Sequence, residues 1–371
     1  MVSLRRFDWL LFLPMLLISA IGCAMIYSAY EISLSGGPRT GLDNLALRQA
    51  FFALIGLVCY LIASALDYRL WVAAARWLYP LIIAMLLVTL AIADPTFGTR
   101  AWLNIGTFGI QPSELARILM IIVFAHILGA KVRNLESPTA FLISAVLLLP
   151  IVALVYLQVD FGMALMMCLI WIGMVFLAGV RWRHLAVVAT AAAAAIPLVW
   201  FQLEAYMRGR IFHFLYPGQD PSGASYNVNQ ALISIGSGGW WGKGFGQGTQ
   251  SQLQFLRVRH TDFIFSVFCE EFGFIGAILL ILLFAVLVLR LLHIADGARD
   301  RSGRLIAGGV AVGLFAQVFI NLGMNANILP VTGLPLPMVS SGGSSLIATM
   351  LALGLAQSVA MRQKPPDNPL L

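Results

Sequence analysis

Charged residues are scarce in this sequence of 371 residues, of which only 11% are Asp, Glu, Lys or Arg. Soluble globular domains carry about 25% charged residues. By contrast, 60% of this chain is hydrophobic, and its mean hydropathy is +0.90. These values exclude a soluble globular protein and a disordered chain. The short alternating segments typical of membrane-spanning strands are also missing. The sequence therefore predicts an all-α polytopic membrane protein.

Cysteine is equally sparse, and the chain contains only four residues of this type. Each lies inside an apolar run, and their positions (Cys23, Cys59, Cys168 and Cys269) show no paired spacing. This pattern excludes a disulfide framework and a zinc site. The histidines likewise show no metal-ligand spacing with one another or with cysteine.

Apolar runs long enough to cross a bilayer predict ten transmembrane helices within a single integral membrane domain, 1–371. They fall near residues 9–30, 49–66, 75–93, 113–130, 139–157, 162–179, 184–203, 263–290, 305–327 and 343–361. The connection between helices seven and eight, about 204–262, is far longer than a helix hairpin needs. Its glycine and aromatic residues predict an ordered, functional loop that faces outward.

The distribution of basic residues predicts the orientation in the membrane. Of the 23 Lys and Arg residues, fourteen fall near the N-terminus, in connections on that same side, or near the C-terminus. The positive-inside rule therefore places both termini in the cytoplasm. The net charge of +7 then reflects topology and contact with anionic membrane lipids, and nucleic acid is not an expected partner.

Acids beside or within the predicted spans are candidate functional groups, because such groups are costly in a bilayer. Asp262 ends the long loop and precedes span eight, so it is either a helix cap or a general base. Asp160 starts span six, where capping explains it as well as chemistry does. Glu270 and Glu271 lie deeper on span eight, and the favoured interpretation is hydrogen bonding between helices or pairing with a buried base.

Basic residues near the same end are candidates for binding an anionic group. Glu114 and Arg117 open span four at a spacing that favours an ion pair, and structural pairing is their favoured role. A helix N-terminus beside Arg117 and Arg100 would also suit a phosphate. The glycine spacing around Gly244 does not indicate a nucleotide site, because no strand and no soluble domain surround it.

Several motifs closely resemble those of the SEDS family (shape, elongation, division and sporulation), membrane glycosyltransferases that polymerise lipid II into peptidoglycan. The resemblance covers nearly the whole chain and is nearer to the elongation branch than to the division branch. Its most specific segments are 111–114 (QPSE), 236–239 (GSGG), 242–244 (GKG), 248–251 (GTQS), 260–265 (HTDFIF), 330–337 (PVTGLPLP) and 340–345 (SSGGSS).

The resemblance implies roles for particular residues. It implies that Asp262 is the catalytic residue, that Asp160 lies in the same cavity and that Trp102 is functionally important. The leaving pyrophosphate would need positive charge from basic side chains, helix N-termini or a divalent cation (Mg or Mn) held by Asp262 or Asp160, although no ligand cluster specifies a metal. The remaining candidate substrate-binding residues are Arg100, Glu114, Arg117, Arg208, Arg210, Lys243 and Ser341.

The resemblance also implies partners and a location. The substrate would be lipid II, and the protein partner would be a class B penicillin-binding protein, both at the bacterial cytoplasmic membrane. A flippase for lipid-linked precursors and a scaffold for the transpeptidase stay open as alternatives. The chain departs from the family pattern at Arg257 and Arg259, which either attract the anionic substrate or are solvated surface charge, and at Val159 and Phe161 beside Asp160.

Overall fold

A computed structural model of the protein describes most of the chain. The described residues are 6–31, 44–94, 99–105, 108–130, 138–180, 205–216, 224–253, 255–256 and 260–363, together with isolated helical positions between 183 and 201. This part is built mainly of helices, in agreement with the predicted fold class.

Thirteen helices can be numbered along the described residues. They are α1 (Trp9–Ile26, continued by a π-helical turn at Tyr27–Glu31), α2 (Leu45–Ala65), α3 (Tyr68–Ala73), α4 (Ala75–Ile92), α5 (Pro112–Ala130), α6 (Pro138–Leu157), α7 (Phe161–Leu177), α8 (Ala205–Leu215), α9 (Ala224–Ser237), α10 (Thr249–Gln252), α11 (Ile264–Asp296), α12 (Arg301–Asn325) and α13 (Gly343–Ala360).

Seven of these helices, namely α1, α2, α4, α5, α11, α12 and α13, are long and apolar enough to cross a membrane. Shorter apolar stretches in α6 and α7 coincide with two further predicted spans. The predicted span at 184–203 lies outside the described residues except for isolated helical positions. The chain is therefore an integral membrane protein, and the count of ten helices stays a prediction.

Three helices form the centre of the bundle. In α5, α12 and α13, 78% of the apolar window is buried, against 22% in α2 and 28% in α4 and α11. Apolar side chains on the outer helices, such as Leu282 and Leu289, are exposed. A helix that is apolar on its outer face suits contact with lipid.

The two ends of the bundle differ in character. At one end, α1, α4, α6 and α12 finish and α2, α5, α7, α11 and α13 begin; we call this the site end. At the opposite end, ion pairs join segments that are distant in sequence. They are Arg69–Asp300 (3.1 Å), Arg290–Asp8 (2.7 Å) and Arg362–Asp67 (3.3 Å).

Two predicted connections contain more regular structure than a plain loop. The connection at 204–262 includes α8, α9 and α10. The segment before α5 forms an antiparallel hairpin of β1 (Leu103–Ile105) and β2 (Phe108–Ile110). This hairpin adds two three-residue strands to a fold that is otherwise mainly helical.

Helix α11 is broken at Gly273, where φ is 66° and ψ is −165°. The backbone of residues 238–246, which we call the glycine clamp, supplies hydrogen bonds across the break. Lys243 N donates to Glu270 O (2.9 Å), and Phe274 N donates to Gly239 O (2.9 Å). A helix break frees backbone groups that need new partners in a membrane, and the clamp provides them.

Two glycines of the clamp lie so close to the backbone of α11 that a side chain would not fit. A Cβ on Gly238 would lie 2.0 Å from Cys269 O, and one on Gly242 would lie 2.1 Å from Glu271 O. Gly242 also has a φ of 80°, a conformation that favours glycine. The glycine spacing therefore serves backbone packing.

Candidate active site

Asp262 lies two residues before the first residue of α11 at the site end. The N-cap of α11 is Phe263, whose own side chain makes no capping hydrogen bond. The interpretation of Asp262 as the helix cap is therefore wrong for this structure. The half-buried Asp262 carboxylate instead accepts a hydrogen bond from the Thr261 side chain.

Asparagines on α12 hold the backbone of Asp262. Its carbonyl oxygen accepts hydrogen bonds from Asn321 Nδ2 (3.1 Å) and Asn325 Nδ2 (3.0 Å). The main chain at this acid is thereby tied to a central helix, which restricts where the carboxylate can lie.

The segment after α12 holds the two residues that precede Asp262. Ser340 Oγ donates to Thr261 O (2.6 Å), and Ser341 N donates to His260 O (2.8 Å). Ser341, a predicted substrate-binding residue, therefore contacts this segment through its backbone.

Asp160 caps α7, as one of its two predicted roles requires. Its Oδ1 accepts from Met163 N (3.0 Å), and its Oδ2 accepts from Gln111 Nε2 (2.7 Å). The preceding residue, Val159, has a φ of 62°, which is uncommon for a β-branched side chain. Strain of this kind is often found beside functional groups.

Arg210 on α8 links the two carboxylates electrostatically, since its positive charge acts on both Asp262 and Asp160. Its guanidinium donates to Val331 O (3.1 Å). Arg210 Nη1 and Asp262 Oδ2 each lie 3.9 Å from the position that a Cβ on Gly333 would occupy. The segment 328–342 therefore borders both the acid and the base.

Burial sets the protonation behaviour of both acids. It raises the pKa of Asp262 to about 6, against the opposing effects of the Arg210 charge and the Thr261 hydrogen bond. Burial also raises the pKa of Asp160 to about 6, opposed first by the hydrogen bond from the backbone of Met163. A carboxyl group with a pKa near neutrality is suited to accepting and returning a proton.

Glu114 and Arg117 form the predicted i,i+3 ion pair, with Arg117 Nη2 2.8 Å from Glu114 Oε2. Both side chains are almost fully buried inside the bundle. Arg117 Nη1 also donates to Gln317 Oε1 (2.6 Å). This confirms the expected pairing and places the pair beneath the site.

Arg100 and Trp102 lie in the segment that leads into the hairpin. Arg100 is exposed, Trp102 is half-buried, and Arg100 N donates to Gln158 O (2.9 Å). Because Gln158 is two residues from Asp160, the structure brings this predicted segment next to the second acid.

Two other predicted bases have different neighbours. Lys243 Nζ pairs with Glu270 Oε1 at 2.8 Å within the glycine clamp. Arg208 Nη2 donates to Phe201 O (2.9 Å). The predicted bases Arg257 and Arg259 lie outside the described residues.

Glu270 and Glu271 are held by separate partners, as their favoured interpretation requires. Glu270 pairs with Lys243 and accepts from Gln250 N (3.1 Å). Glu271 accepts from the Ser28 hydroxyl in the turn after α1 and from the backbone of Gly246. These contacts give both acids structural partners.

Sequence reasoning did not identify the amide side chains that organise the site. Gln111 binds Asp160, and Gln317, Asn321 and Asn325 line one face of α12. The available signal was a polar side chain at every fourth position of an otherwise apolar helix. No group of three or more His, Cys, Asp or Glu residues that could hold a metal occurs in the described part of the chain.

The fold and the site define a polytopic membrane protein with two carboxyl groups and an arginine gathered at one end of its bundle. The family model FTSW_RODA_SPOVE, described as "Cell cycle protein", matches residues 8–365. The chain therefore belongs to this family, which confirms the resemblance seen in its motifs.

Relatives with assigned activities cover the chain almost completely. It is 38% identical over 341 residues to "Peptidoglycan glycosyltransferase MrdB" of Escherichia coli (strain K12), which covers 92% of this chain and 91% of the relative. It is 35% identical over 370 residues to "Probable peptidoglycan glycosyltransferase FtsW" of Geobacter metallireducens, with coverage of 98% and 96%.

Solved structures share the fold. One is a chain from a study described as "Structural coordination of polymerization and crosslinking by a peptidoglycan synthase complex". It has a TM-score of 0.78 and 34% identity, and covers 95% of this chain and 97% of that chain. Another is the crystal structure of Thermus thermophilus Rod shape determining protein RodA, with a TM-score of 0.70, 32% identity and coverage of 97% and 98%.

Proposed function

We propose that this protein is a peptidoglycan glycosyltransferase that polymerises lipid II into glycan strands during cell elongation. The observation that carries the proposal is Asp262, whose carboxyl group has a pKa of about 6 and whose backbone is fixed by α12. The activities named for the relatives at 38% and 35% identity support the reaction class.

In the proposed reaction, the 4-hydroxyl of an acceptor GlcNAc attacks the anomeric carbon of a donor MurNAc. The new glycosidic C–O bond forms as the bond from the anomeric carbon to the pyrophosphate oxygen breaks. Asp262 takes the hydroxyl proton, and undecaprenyl pyrophosphate leaves. General-base help of this kind contributes about 10²–10⁴-fold.

Arg210 is the base best placed to stabilise the leaving pyrophosphate, because its charge acts on both Asp262 and Asp160. The exposed Arg100 beside the Asp160 turn is a second candidate. Arg117 and Lys243 are engaged by Glu114 and Glu270, so we assign them supporting roles.

We further propose that Asp262 or Asp160 binds a divalent cation that is shared with substrate phosphates. Mg²⁺ commonly binds through one or two carboxylates together with phosphate oxygens. Either acid would supply a carboxylate oxygen, and a bound Mg²⁺ or Mn²⁺ would offset charge on the pyrophosphate. Removal of divalent ions with EDTA should then lower activity, and excess Mg²⁺ or Mn²⁺ should restore it.

The proposed location is the bacterial cytoplasmic membrane, with the site end facing outward and both termini in the cytoplasm. The basic residues at the opposite end of the bundle support this orientation. The solved complex that shares the fold supports a transpeptidase partner, which we assign to the class B penicillin-binding proteins.

The test is polymerisation of lipid II by the purified Asp262→Asn variant. The amide keeps the shape and can accept the Thr261 hydrogen bond, but it cannot take a proton. We expect activity to fall at least 100-fold while the folded fraction in detergent is unchanged. Polymerisation near the wild-type rate would show that Asp262 is not the base.

Asp296→Asn is the matched control, because it makes the same change at the other end of α11 in a side chain that is 80% exposed. It should leave the rate unchanged. A lipid II translocation assay in vesicles distinguishes the alternative function, a flippase, from the proposed glycosyltransferase. Translocation without polymerisation by the wild-type protein would favour the flippase over the enzyme.

A further inference from the structure

Three amide side chains follow one another at four-residue spacing on α12: Gln317, Asn321 and Asn325. At this spacing they lie on the same face of the helix. All three are almost completely buried, with exposures of 1%, 0% and 0%. We call them the amide ladder.

Gln317 connects the buried ion pair to the segment at 328–342. Its Oε1 accepts from Arg117 Nη1 (2.6 Å), and its Nε2 donates to Pro335 O (3.0 Å). Gln317 therefore reaches α5 on one side and the segment bordering the site on the other, and the structure gives it no contact with Asp262.

Asn321 connects the same segment to the catalytic candidate. Its Nδ2 donates both to Leu334 O (2.8 Å) and to Asp262 O (3.1 Å). One amide group thus fixes the separation between the 328–342 segment and the backbone of the acid.

Asn325 connects Asp262 to the start of α11. Its Nδ2 donates to Asp262 O (3.0 Å), and its Oδ1 accepts from Ser266 N (3.2 Å) and Ser266 Oγ (2.6 Å). A residue of α12 thereby accepts from an N–H group in the first turn of α11, a helix whose own N-cap side chain makes no capping hydrogen bond.

We propose that the amide ladder is the positioning device of the active site, and that Gln317 is a positioning residue for Asp262 although it does not touch it. The ladder holds three parts in one register: the Glu114–Arg117 pair, the 328–342 segment and Asp262. Of the two experiments that test this proposal, only the kinetic one rests on the proposed glycosyltransferase function.

The side chains of the ladder are buried, so water cannot replace a donor that is lost. A buried carbonyl that loses its donor destabilises the folded state unless the backbone moves to find another partner. The part of the segment at 328–342 that would move lies around Leu334 and Pro335, because their carbonyl groups accept from Asn321 and Gln317. Misplacement of a catalytic group by about 1 Å can reduce a rate about 100-fold.

The kinetic test compares Gln317→Met with Gln317→Glu. Both remove the donor to Pro335 O, while Glu keeps an oxygen for Arg117. We expect both to lower kcat about 10–100-fold and to leave the KM for lipid II within about twofold. An equal loss in both variants would show that kcat falls because Pro335 O has lost its donor, and not because Arg117 has lost its acceptor.

The matched control is Gln357→Met, which makes the same change at another fully buried amide, on α13. Neither amide atom of Gln357 has a hydrogen-bond partner among the described residues, so its kcat should stay within about twofold of wild type. A wild-type kcat for Gln317→Met, or an equal loss in Gln357→Met, would overturn the proposal.

Hydrogen–deuterium exchange supplies a readout that needs no activity. Backbone exchange in peptides spanning 260–266 and 330–336 should rise at least fivefold in Gln317→Met and stay unchanged in Gln357→Met. The wild-type protein could make no glycan while exchange still rises in Gln317→Met and not in Gln357→Met. That outcome would contradict the proposed function and support the positioning role of the amide ladder. Unchanged exchange in Gln317→Met would overturn the ladder.

Discussion

Arg210 sets the protonation of the catalytic candidate at the scale of single residues. Burial raises the pKa of Asp262 to about 6, and the positive charge of Arg210 opposes that rise. A general base must be deprotonated, so activity should rise with pH through the pKa of Asp262.

Replacing Arg210 with Gln should move the acid limb of the pH–activity profile to higher pH. The neutral side chain no longer stabilises the carboxylates, so the pKa of Asp262 increases and more activity is lost near pH 6. The measurement is kcat/KM for lipid II between pH 5 and pH 8. Arg208→Gln on the same helix is the control, and an acid limb that does not move in Arg210→Gln would contradict this assignment.

The sequence supports prediction of some site residues and not of others. Asp262 was predictable because an acid beside a span is rare, and the Glu114–Arg117 pair because its spacing is local. Asn321 was not, because its partners are backbone carbonyls of Leu334 and Asp262. Such contacts depend on how remote segments pack. Every residue has a backbone carbonyl group, so the residue type does not show which carbonyl accepts a side-chain hydrogen bond.

At the scale of elements, the glycine clamp should respond sharply to a single methyl group. A Cβ on Gly238 would lie 2.0 Å from Cys269 O, whereas one on Gly236 would meet nothing within 4 Å. We expect Gly238→Ala to destabilise the protein by about 1–3 kcal/mol, as overpacking does.

Gly236→Ala should lie within about 0.5 kcal/mol of wild type, as for a substitution without new contacts. Thermal unfolding of both variants in detergent is the measurement. Equal unfolding temperatures for the two variants would show that the clamp does not pack against α11 as described.

Helices as elements were largely predictable, since apolar runs of the right length mark α1, α2, α4, α5, α12 and α13. The break in α11 was not, because Gly273 is one glycine in a long apolar run and glycine alone does not specify a break. The position of the break depends on how residues 238–246 pack against α11, and these residues are remote from Gly273 in the sequence.

At the scale of the whole molecule, orientation in the membrane can be tested with cysteines introduced at exposed positions. Trp241 at the site end is 81% exposed, and the Asp296 side chain at the other end is 80% exposed. A membrane-impermeant maleimide should label Trp241→Cys in intact cells and label Asp296→Cys only after permeabilisation.

The wild-type protein is the control for labelling, because its four cysteines are buried or half-buried. It should show little reaction in either condition. Labelling of Asp296→Cys in intact cells, with Trp241→Cys protected, would reverse the proposed topology.

The break in α11 separates the position of Asp262 from the thickness of the bilayer. A straight helix of 33 residues would be about 50 Å long, whereas the hydrocarbon core is about 30 Å thick. Residues 274–296 alone can cross it, while Ile264 to Glu271 are buried against protein. Because the helix is interrupted at Gly273, a tilt of the lipid-facing stretch in thicker or thinner membranes is not carried along one continuous helix to Asp262. Lipid composition could then vary with growth conditions without changing the distance between Asp262 and the groups that surround it.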